Sequence, residues 1–415
     1  MDWSFLLKNK DSLCVTTDSR KVTPGSIFVA LKGEHFDGND FVEQARKDGA
    51  EYIISGENAL AELQDLARAW RRTLDIPFIA ITGTNGKTTT KELTAAVLSR
   101  RYKVAYTQGN LNNQIGVPLT LLSITRAHEV AIIEMGASHP GDIKELVEIA
   151  EPNYGLITNV GRAHLQGFGS FEGVMATKAE LYDYLVAHDG TIFRNADNPF
   201  LKEMYLTAQR SNSGSGLTSN SEAVCQAKPV LYSTGSMPEG THLVGNYNSE
   251  NVSAAICVGT YFGVSEEAAL DAIRAYVPSN NRSQLMQTAH NTVVVDAYNA
   301  NPTSMTAAIE AFDRSTLNIQ HSTANMPKAY ILGAMRELGE YSHLEHQNIV
   351  NMLLERKADK VLLVGEEYKA TTAPYPVFDD VDALCAYLQN EPLQGYTILL
   401  KGSRSNQLEK VIPLL

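Results

Sequence analysis

Phe78-Ile-Ala-Ile-Thr-Gly-Thr-Asn-Gly-Lys-Thr-Thr-Thr90 is the stretch on which the fold turns. An apolar run enters a loop of small residues, and Lys87-Thr88 leads into Lys91-Glu-Leu-Thr-Ala-Ala-Val-Leu98, a run of good helix formers. Strand, glycine loop and helix N-terminus in that order make a phosphate cradle. Glycines let backbone N–H groups curl around phosphate oxygens, and the helix end adds positive potential. Gly83, Thr84, Asn85, Gly86 and Thr89 belong to this cradle. Lys87 would reach the β- and γ-phosphates, and the Thr88 hydroxyl would ligate Mg²⁺. The full G-x-x-x-x-G-K-[ST] pattern asks for glycine at position 81, where this chain has Ile81. The loop reads as a site for ATP or GTP, and the lack of an N-K-x-D guanine-reading sequence disfavours a GTPase switch.

Outward from this loop, short apolar runs ending in Gly, Asn or Asp recur. They include Val130-Ala-Ile-Ile133, Gly155-Leu-Ile-Thr158, Thr292-Val-Val-Val295, Ala329-Tyr-Ile-Leu332, Val361-Leu-Leu-Val364 and Thr397-Ile-Leu-Leu400. Continuous rather than alternating apolar runs suit strands buried on both faces of a parallel α/β sheet, whose ligands gather at the carboxyl ends of the strands. Glu134 ends one such run, so its carboxylate is expected near the phosphates as a hard oxygen ligand for Mg²⁺. Three units suggest themselves: residues 1–76, closing with the charged helix-like stretch Ala59 to Thr73; residues 77–276, carrying the phosphate loop; and residues 277–415, opening at the turn-rich Val277-Pro-Ser-Asn-Asn281 and holding four strand-like runs. The Ser/Asn/Gly-rich stretch from Ser211 to Ser221 reads as a mobile surface loop.

Composition narrows the function. The chain has 415 residues, 44% hydrophobic and 20% charged, with 35 Lys and Arg against 47 Asp and Glu, a net charge of −12. That acidity argues against binding nucleic acid or an anionic membrane surface. Cys14, Cys225, Cys257 and Cys385 are far apart in sequence, with no C-x-x-C, which points to free thiols in a reducing compartment. No signal peptide and no apolar run of about 18 residues stand out, so a soluble cytoplasmic protein is expected.

The form T-G-T-N-G-K-T-T resembles the phosphate loop of the Mur ligases, and the likeness runs from about Asp18 to Arg404. It is carried by Gly109-Asn-Leu-Asn-Asn-Gln-Ile-Gly-Val-Pro118, Glu134-Met-Gly136, Asn159-Val-Gly-Arg-Ala-His-Leu165 and Lys178-Ala-Glu180, and further on by Gly245-Asn-Tyr-Asn-Ser-Glu-Asn251, Asp296-Ala-Tyr-Asn-Ala-Asn-Pro-Thr-Ser-Met305 and Lys401-Gly-Ser-Arg404. The resemblance implies an α/β protein of three domains: a small N-terminal UDP-sugar-binding domain, a central P-loop ATPase-like domain and a C-terminal Rossmann-like domain. It implies an ATP-dependent amide ligase of peptidoglycan precursor synthesis, monomeric. The stretch Asp296 to Met305 points to the branch that joins D-alanyl-D-alanine to UDP-N-acetylmuramoyl-tripeptide through an acyl phosphate. The alternative is a sister ligase adding a single amino acid, including those that extend folate with glutamate.

The resemblance also assigns residues. His164 and Lys178 would hold a second Mg²⁺, with Lys178 carrying a CO₂-derived carbamate. Asn246, Asn248 and Asn251 would line the adenine end, where the family commonly has His at the position of Tyr247. Arg282, preceded by Asn281 where the family has Gly, would approach the γ-phosphate when the domains close, joining Lys87, Glu134, His164 and Lys178 as the catalytic set. Asp296 would accept from a ribose hydroxyl, and Tyr298, Asn299 and Asn301 would meet ATP or the dipeptide. Asp18-Ser19-Arg20 and Lys32-Gly-Glu-His-Phe-Asp-Gly38 resemble UDP-holding segments, with Ser19 and Arg20 as donors, although a surface turn accounts for them nearly as well. Asn110, Asn112, Asn113 and Gln114 form an amide-rich loop suited to a sugar peptide. Lys401, Ser403 and Arg404 would hold the dipeptide carboxylate. Position 334, Asp in the family, is Ala334 here.

Overall fold

The computed structural model describes residues 2–34, 36–212, 229–278, 282–313, 326–356 and 358–415. Cys225, His35, Asn281 and most of the Ser/Asn/Gly-rich stretch lie outside them. Three parallel or largely parallel sheets follow one another along the chain. The first has the order β1 (Val15–Thr16), β2 (Ile27–Val29), β3 (Tyr52–Ile54), all parallel. The second contains β4 (Phe78–Thr82), β5 (Val104–Tyr106), β6 (Val130–Glu134), β7 (Tyr154–Ile157), β8 (Thr191–Asn195) and β9 (Val230–Tyr232). Its order is β5-β6-β4-β7-β8-β9, parallel throughout.

The third sheet contains β10 (Gln284–Gln287), β11 (Thr292–Asp296), β12 (Lys328–Gly333), β13 (Lys360–Val364), β14 (Val377–Phe378) and β15 (Thr397–Lys401), in the order β10-β11-β15-β12-β13-β14. Only β10 runs antiparallel among these described strands. The four apolar runs of this region are β11, β12, β13 and β15. Two further strands carry no such run: β10 has polar Gln at both ends and lies at an edge, and β14 has only two residues. Neither offers the continuous apolar run of a strand covered on both faces.

The second sheet shows why the chemistry collects where it does. Every residue of β4 and of β6 is buried, which for each large apolar side chain stabilises the fold by about 1.5–3 kcal/mol. The chain leaves β4 for β5 and β6 on one side and then crosses to β7 on the other. At that reversal the loops after β4, β6 and β7 part and leave a crevice at their carboxyl ends. The helix Ala59–Arg71 braces this sheet: Trp70 is fully buried and its indole N–H donates to Ile124 O at 2.8 Å. Beside it the Arg71 guanidinium donates to Ala150 O at 2.9 Å and lies over the Phe78 ring. Among the described residues no helix is long and apolar enough to cross a membrane, and Cys14, Cys257 and Cys385 are free thiols.

Candidate active site

The carboxyl ends of the second and third sheets face one another across a cleft of about 930 Å³. Its wall includes Thr84 to Thr89, Asn110, Asn112 to Gln114, Glu134, His164, Asn248, Asn251, Arg282, Asp296, Tyr298, Asn299 and Lys401. Most residues singled out in the sequence are therefore brought together. The phosphate loop turns at Gly83 (φ 140°) and Gly86 (φ 79°). A Cβ on Gly83 would lie 2.0 Å from Thr158 Oγ1, and one on Gly86 2.3 Å from Asn251 Oδ1. Only glycine fits either place, because the backbone is left-handed and the neighbour is already in contact. The segment after β7 holds the loop: Asn85 N–H donates to Asn159 Oδ1 at 3.0 Å, and the Thr158 hydroxyl to Asn85 O at 2.6 Å.

Lys87 opens the helix Lys87–Leu98, and its ammonium folds back to donate to Gly83 O (2.8 Å) and Thr84 O (3.1 Å). The protein packed around that ammonium lowers its pKa from the ordinary lysine value, and Glu134 opposes the shift. Thr88 Oγ1 and Asn112 Nδ2 donate to Glu134 Oε1 at 3.1 and 2.9 Å. The other oxygen, Oε2, is buried with no hydrogen-bond partner. It faces the ammonium of Lys91 at 3.6 Å, itself buried and without a hydrogen bond. A hydroxyl beside a carboxylate with an unsatisfied oxygen suits Mg²⁺, which takes one or two protein oxygens and completes its shell with phosphate and water. Among the described residues no group of three or more His, Cys, Asp and Glu forms a cage of its own.

Lys178 sits behind this wall. It lies in the middle of the helix Phe171–Ala187, which begins where Ser170 caps it, accepting from Gly173 N–H. The side chain is 2% exposed. Burial pushes its amine well below the ordinary lysine range and Lys87 pushes the same way, while Asp142 and Glu180 oppose. The Phe168 ring neighbours both Lys178 and His164, with the ammonium 5.6 Å from the ring centroid and the imidazole edge-on at 6.2 Å. His164 Nδ1 is in contact with Glu337 Oε2, from the segment after β12. The imidazole holds that carboxyl below the usual carboxylate range.

Further contacts join the second sheet's loops to the third unit. Asn301 Nδ2 donates to Asn85 Oδ1 at 2.8 Å, Arg162 pairs with Glu345 at 3.0 Å, and Arg162 N–H donates to Thr303 Oγ1 at 3.0 Å. Tyr247 meets Ser283 hydroxyl to hydroxyl at 2.6 Å. Arg282 stacks on the Tyr298 ring at 3.6 Å, with Arg404 5.5 Å from the same ring. Asn251 accepts from the Thr90 hydroxyl and donates to Asn248 Oδ1.

Several expected residues stand apart. Ser19 and Arg20 are not in the cleft wall, and Arg20 forms a paired contact with Asp18, at 2.9 and 2.8 Å. Asn246 is exposed outside the wall. Lys401, at the wall, is 1% exposed and its ammonium bonds Asp296 Oδ2 at 2.7 Å and Asn299 O at 3.0 Å. β11 and β15 are paired with Asp296 opposite Lys401, which sets that bond. Ser403 is buried with its hydroxyl unpaired. Ala334 is buried, its carbonyl accepting from Asn406 Nδ2 at 2.7 Å.

Lys91, Glu337, Arg162 and Thr303 carry contacts that the sequence reading did not assign. Lys91 had a signal: it follows Lys87 by four residues, so both share one helix face. Glu337 had none, because its partner is 173 positions away.

A phosphate loop, an oxygen pair fit for Mg²⁺ and a buried lysine, gathered where the ends of two α/β sheets meet, define a nucleotide-dependent enzyme. Family models for the Mur ligase family catalytic domain, the Mur ligase middle domain and the Mur ligase glutamate ligase domain match residues 13–105, 81–259 and 281–404. The chain is 36% identical to the UDP-N-acetylmuramoyl-tripeptide–D-alanyl-D-alanine ligase of Escherichia coli (strain K12), over 97% of this chain and 93% of that protein. It is 33% identical to the same-named ligase of Bacillus subtilis (strain 168), over 96% and 92%. Crystal structures of MurF from Acinetobacter baumannii (28% identity, 96% of this chain and 93% of that one) and of MurF ligase from Thermotoga maritima in complex with ADP (25%, 100% and 98%) each align with a TM-score of 0.81. The chain belongs to the Mur ligase family.

Proposed function

We propose that the chain joins D-alanyl-D-alanine to UDP-N-acetylmuramoyl-tripeptide at the expense of ATP, as a cytoplasmic monomer in peptidoglycan precursor synthesis. The observation that carries this reading is the near-full-length likeness to ligases of that name, and the composition of the cleft agrees with it. The tripeptide carboxylate attacks the γ-phosphorus of ATP; the bond to the β–γ bridging oxygen breaks, and ADP leaves. The amine of the dipeptide then attacks the acyl carbon, loses a proton, and phosphate departs from the tetrahedral intermediate.

The first step drives one anion onto another, so positive charge must converge on the transferred group. Lys87 would turn from the Gly83 and Thr84 carbonyls to the β- and γ-phosphates, and Arg282 would leave the Tyr298 ring for the γ-phosphate. Thr88 and Glu134 would hold one Mg²⁺, and His164 with a carbamylated Lys178 a second. Bound there, Mg²⁺ neutralises the phosphate oxygens and polarises the phosphorus. The neutral amine favoured at buried Lys178 is the form that can attack CO₂, giving an N-carboxylate and a released proton. Asn248 and Asn251 would meet the adenosine, Asp296 the ribose, and Asn110, Asn112, Asn113 and Gln114 the sugar peptide. Tyr298, Asn299, Asn301 and Arg404 would face the dipeptide, and the packed third unit would keep water from the acyl phosphate.

The test is ATP-dependent phosphate release with and without the two substrates, following product mass, for wild type and Lys178→Ala. Release that requires both substrates, with a mass gain of the dipeptide and a silent variant, is expected. Release indifferent to both would overturn the reading.

A further inference from the structure

Around His164 the backbone is strained on both sides of the interface. His164 has φ 50° and Glu337 φ 61°, left-handed values that non-glycine residues adopt at a cost and that gather at functional sites. Two contacts join this pair. The Glu337 carboxylate lies against His164 Nδ1, an atom shut off from solvent, and Glu337 O accepts from Gln166 N–H at 3.2 Å, within the first turn of the helix Leu165–Phe168. Gly339 packs on Gln166 beside them. Glu337 thus meets His164 through its side chain and the following turn through its main chain.

A carboxylate against one ring nitrogen decides what the other can do. In a neutral imidazole, a carboxylate against Nδ1 selects the tautomer with its proton there, which leaves the Nε2 lone pair free to ligate a metal. We propose that Glu337 is a positioning residue that reaches from the third unit to fix the tautomer and direction of His164, so that this ligand for a divalent cation is complete only while the third unit is packed on the second. The inference rests on the reading of His164 as a metal ligand and goes beyond it, because it makes metal capture depend on domain packing. Open, His164 would lose its orienting partner; closed, the cation site and the dry cleft form together.

The test compares wild type, His164→Ala, Glu337→Ala and Glu337→Gln, each with a non-hydrolysable ATP analogue and the UDP-sugar tripeptide. Mn²⁺ is titrated as the probe and followed by electron paramagnetic resonance. Spectra of protein labelled with ¹⁵N-histidine report which His164 nitrogen holds the proton. Glu337→Ala is expected to weaken one Mn²⁺ by about 10–100-fold, the usual effect of removing a partner of a metal-bound histidine. Glu337→Gln falls between, because its amide oxygen still accepts from Nδ1–H, and His164→Ala loses that ion. Wild type should show the proton on Nδ1, and Glu337→Ala should lose that preference. Glu337 is exposed on its outer side, so the thermal transitions of its variants should stay near wild type. A Mn²⁺ titration unchanged in Glu337→Ala but shifted in His164→Ala overturns the inference alone, as does a wild-type His164 protonated on Nε2. A titration unchanged in His164→Ala overturns the ligand reading beneath it.

Discussion

Gly86→Ala tests how the phosphate loop is held. Position 86 has φ 79°, and the new Cβ would lie 2.3 Å from Asn251 Oδ1. The left-handed backbone costs a residue with a Cβ about 1–2 kcal/mol. Asn251 is 4% exposed and cannot step aside without leaving Thr90 and Asn248, bonded at 3.0 and 2.9 Å; at about 1 kcal/mol each these bonds add about 2 kcal/mol. The single variant should therefore cost about 3–4 kcal/mol, and Asn251→Ala about 2 kcal/mol. In the double variant the alanine meets no amide, and only the backbone cost joins the lost bonds. Its total should again be about 3–4 kcal/mol, whereas independent effects would reach about 5–6 kcal/mol. Scanning calorimetry of the ligand-free protein reads the difference. At about 2–4 °C per kcal/mol for a unit of 150–250 residues, Gly86→Ala should lower the transition of the second unit by about 6–16 °C, and the double variant no further. Shifts that add in full would refute the close approach of Gly86 and Asn251 as the reason for glycine.

Lys91→Met leaves Glu134 Oε2 buried without its ammonium and should cost about 3 kcal/mol, the low end for one partner of a buried pair; calorimetry should show Lys91→Met/Glu134→Gln recovering part of it, and no recovery would count against the pairing. Tyr247→Phe removes the bond to Ser283 and should raise the KM for ATP about fivefold, the equivalent of about 1 kcal/mol; an unchanged KM would mean that the bridge does not act on the nucleotide. His346 is fully buried, accepts from Met335 N–H at Nε2, and is held below the ordinary imidazole value of 6.5, first by burial. The unfolded chain then takes up the proton before the folded one, so this stabilisation is complete above pH 6.5 and is lost as pH falls through the folded value. Urea midpoints between about pH 5 and 7.5 should decline with acid more steeply in wild type than in His346→Gln.

The phosphate loop was readable because its signal is local: strand, glycines, Lys87 and Thr88 lie within one stretch, and the buried sheet strands advertised themselves as unbroken apolar runs. The pairings between distant segments were not. Lys401 read as a free cation for a substrate carboxylate, but the register of β11 and β15 sets it against Asp296, and register depends on the whole sheet rather than on Lys401-Gly-Ser-Arg404. Arg20 reads as a donor to a diphosphate, and there the competing partner is local: in the folded chain its guanidinium is paired with Asp18 two residues away. Lys178 could be named only through family likeness, because the property that sets it apart from a surface lysine is its burial under the helix packing, which no four-residue window contains.

The charges around the cleft explain why the chemistry there cannot rest on protein cations alone. Among the described residues the wall offers Lys87, Arg282 and Lys401 against Glu134, Asp142, Glu145, Glu250, Asp296 and Glu337. Lys401 is already bound to Asp296, and Lys91, just behind the wall, faces Glu134. A triphosphate and a peptide carboxylate entering such a site meet an excess of like charge, in keeping with a chain of net charge −12, and a carbamate on Lys178 would deepen it. The carboxylates are therefore better understood as the means of concentrating divalent cations between substrate anions than as obstacles to them. On that view Lys91 and Lys401 hold Glu134 and Asp296 in place while no cation is bound. Glu337, arriving with the third unit, would join the last ligand to the set only when the cleft is closed to water.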